Sequence, residues 1–172
     1  VLIYIAQGVG LLAMTFAIIS FQKNSNKGIL RFQLIAAITF SIHFFLLGAY
    51  TGSIMNILGS TRNIIFFNRD KSWARKSFWP YLFICLYILC GIITWSYWYS
   101  ILPIAGMILN TLGLWNTNPK ITRRIVLPSS PLWLLYNIFT MSIAGILTEI
   151  FVLTSLIVAV FRFDFVKKSV KE

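Results

Sequence analysis

Charge is scarce in this chain of 172 residues: Asp, Glu, Lys and Arg together make up 11%, against about 25% in a typical soluble domain. A soluble fold needs a polar shell around its core, and too few polar residues are present to make one. Acidic residues number only four, and histidine occurs once. Cysteine occurs twice, as Cys85 and Cys90 within one apolar segment. That supply matches neither a metal site nor a redox motif, and the two cysteines read as small buried apolar side chains. No nucleophile–base pair and no phosphate loop is found, which argues against an enzyme. No cofactor is expected. Regular apolar–polar alternation is missing as well. A transmembrane β-barrel needs it over about ten positions per strand, whereas Tyr81–Trp95 is apolar on every face.

Long apolar runs are what the chain has instead, with 58% hydrophobic residues. A bilayer core about 30 Å thick takes roughly 20 apolar residues to cross as a helix. Seven crossings are predicted, at Leu2–Phe21, Leu30–Leu47, Ser53–Phe67, Phe78–Trp95, Ile101–Trp115, Val126–Thr140 and Ile146–Phe161. With neither a Met nor a basic stretch ahead of the first run, that run is expected to be a retained helix rather than a signal peptide.

The connections alternate in charge. The first holds Lys23, Lys27 and Arg31, the third Arg69, Lys71, Arg75 and Lys76, and the fifth Lys120, Arg123 and Arg124. The tail holds Arg162, Lys167, Lys168 and Lys171. Between them, Gly48–Gly52, Ser96–Ser100 and Met141–Gly145 carry no charge. Of 15 Lys and Arg residues, 14 fall on one face of the predicted membrane domain and only Arg62 lies deep within a crossing. Cytoplasmic loops carry the Lys and Arg excess, so the C-terminus is expected in the cytoplasm and the N-terminus in the periplasm. The net charge of +11 is thereby explained by topology. It forms no continuous basic groove of the kind nucleic acid needs, so no nucleic-acid partner is expected. Trp73, Trp79 and Trp115 fall at the basic end, and Trp95, Tyr97, Trp98 and Tyr99 at the neutral end, as interfacial aromatic belts do.

Arg124 and Arg162 are 38 residues apart, as are Arg31 and Arg69. One straight helix of that length would span about 57 Å, so each interval holds two crossings and a turn. Pro128 and Pro131 then mark the basic-end start of the sixth crossing, where proline is best tolerated. A shift of 93 maps Lys27 onto Lys120, Arg31 onto Arg124, Gly52 onto Gly145 and Arg69 onto Arg162. The expected fold is an all-α integral membrane domain of seven transmembrane helices. Residues 1–69 and 100–163 form two parallel three-helix repeats, 70–99 a linker helix and 164–172 a cytoplasmic tail. Parallel repeats are a transporter plan with the substrate site between them near the midplane.

The three-plus-one-plus-three layout resembles the SWEET and PQ-loop superfamily of small transporters. More specifically, the chain resembles the YgjV-type bacterial inner-membrane proteins. That resemblance is carried by Phe21-Gln22-Lys23-Asn24-Ser25, by Gly52-Ser53-Ile54-Met55-Asn56 with Arg62-Asn63, and by Gly113-Leu114-Trp115-Asn116. It implies the bacterial inner membrane as location. The PQ dipeptide is absent, with Ala6-Gln7 and Pro103-Ile104 at its expected positions, and the first half lacks the hinge prolines of SWEET-like proteins.

Polar side chains at bilayer depth are costly and mark function by default. Glu149 lies four residues past Gly145, and the shift of 93 pairs it with Asn56. SWEET-like proteins line their sugar site with an asparagine from each of these helices, so the resemblance makes Asn56 and Glu149 the leading site residues. A carboxyl there can bind a cationic or hydroxyl-rich solute or carry a proton. The bland alternative is a protonated Glu hydrogen-bonded between helices. Arg62 can pair with Glu149, bind an anion or snorkel to the interface. His43, Asn137, Asn110 and Asn63 complete the set; any one of them alone more often makes an interhelical link. His43, Asn56, Asn137 and Glu149 are expected at one depth on four helices. Gly48 and Gly52 straddle a turn and offer no dimerisation face, while Gly106 and Gly113 suit close packing of the fifth helix.

The expected function is transport of a small polar solute by alternating access between two triple-helix bundles. The alternative is a receptor or assembly protein of the same fold. The expected partners are the lipid bilayer and the solute, with a homodimer as a further option.

Overall fold

Residues 1–21 and 26–162 are described by the computed structural model, with side chains outside 21–30 and 119. The tail expected at 164–172 and the connection at 22–25 lie outside the described residues. Among the described residues the chain is all helical, without a strand. The helices are α1 (Leu2–Phe21), α2 (Asn26–Leu46), α3 (Tyr50–Phe67), α4 (Phe78–Ile93), α5 (Ile101–Trp115), α6 (Pro119–Val126), α7 (Ser129–Phe139) and α8 (Ile143–Val160). A single 3-10 turn, Trp98–Ser100, leads into α5. Three segments are long and apolar enough to cross a membrane: Leu2–Ser20, Trp98–Trp115 and Ile143–Val160. Arg31–Leu46 and Phe78–Ile93 are apolar but shorter.

The bundle is apolar outside and polar within. Ile92 and Ile93 are 65% and 73% exposed, while His43, Thr51, Arg62, Thr111 and Asn137 are buried. That inversion suits a solvent of lipid tails, where polar groups must be satisfied inside the protein. Within the bundle α2 packs between α1 and α3, and α7 packs between α5 and α8. Contacts of α1 with α8 and of α3 with α5 close a ring. Helix α4 lies outside, against α3 and α5, with Phe83 and Tyr87 turned inward and Tyr81 and Leu89 exposed. Cys85 is an exposed free thiol on this outer helix, which corrects the expectation that both cysteines are buried.

Helix limits repeat at an interval of 93. Adding it to α3 (Tyr50–Phe67) gives α8 (Ile143–Val160), and adding it to α2 (Asn26–Leu46) gives the start of α6 and the end of α7. The α2–α3 and α7–α8 turns also match. Gly48 and Met141 both have positive φ, 71° and 56°. Ala49 N–H donates to Phe44 O and Ser142 N–H to Asn137 O, each at 2.9 Å or less. The left-handed residue lets the chain reverse within three positions. Residues 50–52 and 143–145, expected in connections, are therefore the first turns of α3 and α8.

The expected sixth crossing, Val126–Thr140, is α7, with Pro128 and Pro131 at its start as expected; the short α6 before it was not foreseen. The two helices are separated at Leu127–Pro128, where Pro128 has no backbone N–H to continue the ladder. Asn118 caps α6 by accepting from Lys120 N–H at 3.0 Å, with Pro119 in its first turn. Thr122 Oγ1 donates to Gly113 O at 2.9 Å and holds α6 to α5. Helix α7, with 11 residues, is then only about 16 Å long.

Close approach between α7 and α8 depends on Gly145, where an added Cβ would run into the Asn137 amide and Ser142 Oγ. Gly8, by contrast, has nothing within 4 Å of an added Cβ. Gly145→Ala is expected to destabilise the bundle by about 1–3 kcal/mol in thermal unfolding in detergent, while Gly8→Ala leaves the midpoint unchanged. Equal midpoints for the two variants would refute this packing.

Candidate functional site

A cavity of about 250 Å³ lies inside the ring, lined from α2, α3, α5, α6, α7 and α8. Six of the seven expected site residues line it: Asn56, Arg62, Asn63, Asn110, Asn137 and Glu149. A second chamber of about 320 Å³ adjoins it, sharing Gln33, Phe40, Asn56 and Asn63 and extending to Met14 and Ile18 of α1.

All but one of these polar side chains are held by a nearby partner. Asn56 Nδ2 donates to Gly52 O at 2.9 Å. Arg62, 4% exposed, donates from Nη1 to Thr111 Oγ1 (3.0 Å) and from Nε and Nη2 to Asn63 Oδ1 (3.2 and 2.8 Å). Its guanidinium also sits 5.9 Å from the Phe66 ring centroid. It therefore does not snorkel, and its hydrogen-bond partner across the bundle is Thr111 rather than Glu149. Thr111 Oγ1 passes its own proton to Met107 O at 2.8 Å. Ser129 Oγ donates to Asn110 Oδ1 at 2.9 Å, and Ser130 Oγ donates to Glu149 Oε2 at 2.5 Å. A belt of polar contacts thus runs from Arg62 on α3 past α5 and α7 to Glu149 on α8. Asn137 Oδ1 is buried with no hydrogen-bond partner.

The expected common depth does not hold. Glu149 meets Ser130 at the start of α7, whereas Asn137, seven residues further along α7, packs on Gly145. On α8 the same two levels, Gly145 and Glu149, are four residues or about 6 Å apart. His43, on the unbroken α2, meets Ser142 and so sits at the Asn137 level and not at that of Glu149.

His43 does not line the cavity. It is fully buried at the neutral end, with Nδ1 2.7 Å from Ala6 O and Nε2 2.7 Å from Ser142 Oγ. A carbonyl only accepts, so Nδ1 carries the proton and Nε2 accepts from Ser142. Ser142 Oγ in turn accepts from Gly145 N–H at 3.1 Å. This chain fastens α2 to α1 and to the α7–α8 turn. Gln7 strengthens the same seam, donating to Met141 O at 2.6 Å and accepting from Ile143 N–H at 3.2 Å.

Tyr136 answers His43 on the other side of the ring, 93 positions later. Its hydroxyl accepts from Gly52 N–H at 2.8 Å and donates to Ala49 O at 3.3 Å, fastening α7 to the α2–α3 turn. Ala49 and Ser142 are themselves 93 apart, so the two fastenings are equivalent in register. Tyr136, Phe44 and Trp133 pack with centroids 5.8–6.1 Å apart. Phe44 and Trp133 line the central cavity, and Tyr136 lines a recess of about 260 Å³ at the neutral end, so the three rings separate the two spaces. Ser129, Ser130, Thr111 and Tyr136 were not singled out from sequence; the shift that pairs His43 with Tyr136 was the available signal for one of them. Among the described residues no group of three His, Cys, Asp or Glu is placed to hold a metal ion.

A family model described as bacterial inner membrane protein, Imp-YgjV, matches residues 4–167, a span that takes in every residue of the cavity. The chain belongs to the YgjV family of bacterial inner membrane proteins. It is 26% identical over 146 residues to the inner membrane protein YgjV of Escherichia coli (strain K12), covering 85% of this chain and 77% of that protein. No solved structure matches it. Membership in this family places the protein in the bacterial inner membrane, in keeping with its apolar exterior.

His43→Ala removes two interhelical hydrogen bonds and is expected to lower stability by about 1–3 kcal/mol, read as a lower unfolding midpoint in detergent. A midpoint equal to wild type would mean that the seam does not depend on His43.

Proposed function

We propose that this protein transports a small polar solute across the inner membrane by alternating access between two triple-helix bundles, α1–α3 and α5–α8, with α4 as linker. The observation that carries this reading is a cavity within the bundle that gathers six of the seven expected polar side chains, with Asn56 and Glu149 facing it from helices related by the 93-residue interval. A protein that only scaffolds has no need to gather so many polar side chains around one space at bilayer depth. The interrupted α6–α7 helix at the cavity wall supports it too, since transporter sites recur at discontinuous helices. The aromatic layer of Phe44, Trp133 and Tyr136 then acts as the closed gate on the neutral side. Seven crossings with a periplasmic N-terminus and a cytoplasmic C-terminus follow from the alternation of basic and neutral connections.

Uptake of labelled polar metabolites into proteoliposomes tests transport. Glu149→Gln and Asn56→Ala are each expected to reduce uptake at least about tenfold, the effect of one lost charge-assisted or buried hydrogen bond, with circular dichroism unchanged. Full uptake in both variants, or no uptake by wild type across a broad metabolite set, would favour the receptor or assembly reading. Topology is checked separately by fusions. Alkaline phosphatase is expected to be active after Ser96–Ser100, and a fluorescent protein to mature at the C-terminus; the reverse pattern would overturn the orientation.

A further inference from the structure

Resting on the solute-site reading above, we infer that the central cavity takes a small zwitterion, with Arg62 receiving its carboxylate and Glu149 its ammonium group. A basic and an acidic side chain line one cavity, and each is held by its own partners and not by the other. Arg62 spends three of its five N–H donors on Asn63 and Thr111, and the buried Tyr87 hydroxyl of α4 lies beside the guanidinium, so at most two donors are left for a ligand. Glu149 engages Oε2 with Ser130, and Oε1 has no partner among the described residues. An ion pair in direct contact would close both groups off, and much of the cost of burying them would be offset by their attraction. Here α3 holds one and α8 the other, with Thr111, Asn110, Ser129 and Ser130 between them as neutral spacers whose own hydrogen bonds are already made.

Ligand classes differ in how well they match this pair. A neutral polyol offsets neither charge. A monoanion satisfies Arg62 and leaves the carboxyl, while an amine satisfies Glu149 and leaves the guanidinium. A molecule with both ends satisfies both, and discrimination against the others comes from the group each leaves unmatched. The part of the space that both Arg62 and Glu149 line is about 250 Å³, and the adjoining chamber, which neither of them lines, can take only an uncharged remainder. A short α- or ω-amino acid is therefore the simplest member of the class.

The test is thermal stability of the purified full chain in detergent against glycine, β-alanine and 4-aminobutanoate as zwitterions. Propylamine and propionate serve as single-charge halves and glycerol as the neutral control. At least one zwitterion is expected to raise Tm saturably, with a Kd at least tenfold below that of either half. In Glu149→Gln its advantage over propionate should vanish. In Arg62→Gln its advantage over propylamine should vanish, and Arg62→Lys, which keeps the charge, should retain part of it even if the Gln variant does not fold. No shift with any zwitterion, or an undiminished advantage in Glu149→Gln, overturns the inference. If glycerol or a single-charge compound shifts Tm instead, and Asn56→Ala abolishes that shift, the zwitterion inference fails while the solute site stands. If no compound binds and the proteoliposomes show no uptake, both fail.

Discussion

Lipid tails offer no hydrogen bonds, and most of this structure follows from that single constraint. A polar group in the bundle must find its partner within the chain. Short-range satisfaction is common: the hydroxyls of Thr15, Thr39, Ser60, Thr148 and Thr154 each donate to the carbonyl four residues earlier. Such side chains tie nothing together. The few that reach across the bundle therefore define its tertiary structure. His43 and Tyr136 are the clearest, each reaching from the middle helix of one half to the turn of the other. At the basic end Arg69, in the turn after α3, donates to Trp115 O of α5 at 2.5 Å, with its guanidinium 5.2 Å from the Trp115 ring. Long-range order thus rests on a small number of directional bonds, while apolar packing fills the rest.

Helix positions were legible because charge is excluded from bilayer depth. The limits of α1 and α5 agree with the expected crossings at both ends, and those of α3 and α4 at one end; α2, α7 and α8 each end one residue before the expected limit. Where the reading was coarser, the cause lies in backbone detail. Gly48 was visible as a turn residue, but nothing in its neighbours showed that one left-handed position would reverse the chain and add a turn to α3. Met141 is harder still, since a methionine gives no sign of a positive φ. Pro128 and Pro131 were visible and were placed at a helix start; what escaped notice is that a short helix would precede them and that the break would carry Ser129 and Ser130 into the cavity.

The candidate site was legible as a composition more than as a geometry. Polar residues inside apolar helices were conspicuous, and six of the seven singled out face one cavity. Depth was misjudged because counting along a sequence does not show which levels of neighbouring helices meet: His43 and Asn137 both meet the start of α8, about one turn before Glu149. His43 shows the second limit. A lone histidine can face a cavity or a neighbouring helix, and the choice is settled by Gly10, whose missing side chain leaves the space the imidazole occupies. The acceptor on Ala6 is a backbone carbonyl, which no sequence pattern marks.

The two middle helices differ in one mechanical respect. Helix α2 runs unbroken from Asn26 to Leu46, a rod, while its counterpart is jointed at Leu127–Pro128. Trp133, Tyr136 and Asn137 all sit on the far arm of that joint. Tyr136 lies roughly 12 Å along that arm, so its ring and hydroxyl reach the α2–α3 turn from a short helix joined to α6 only through Leu127–Pro128, whereas His43 reaches the opposite turn from a continuous one.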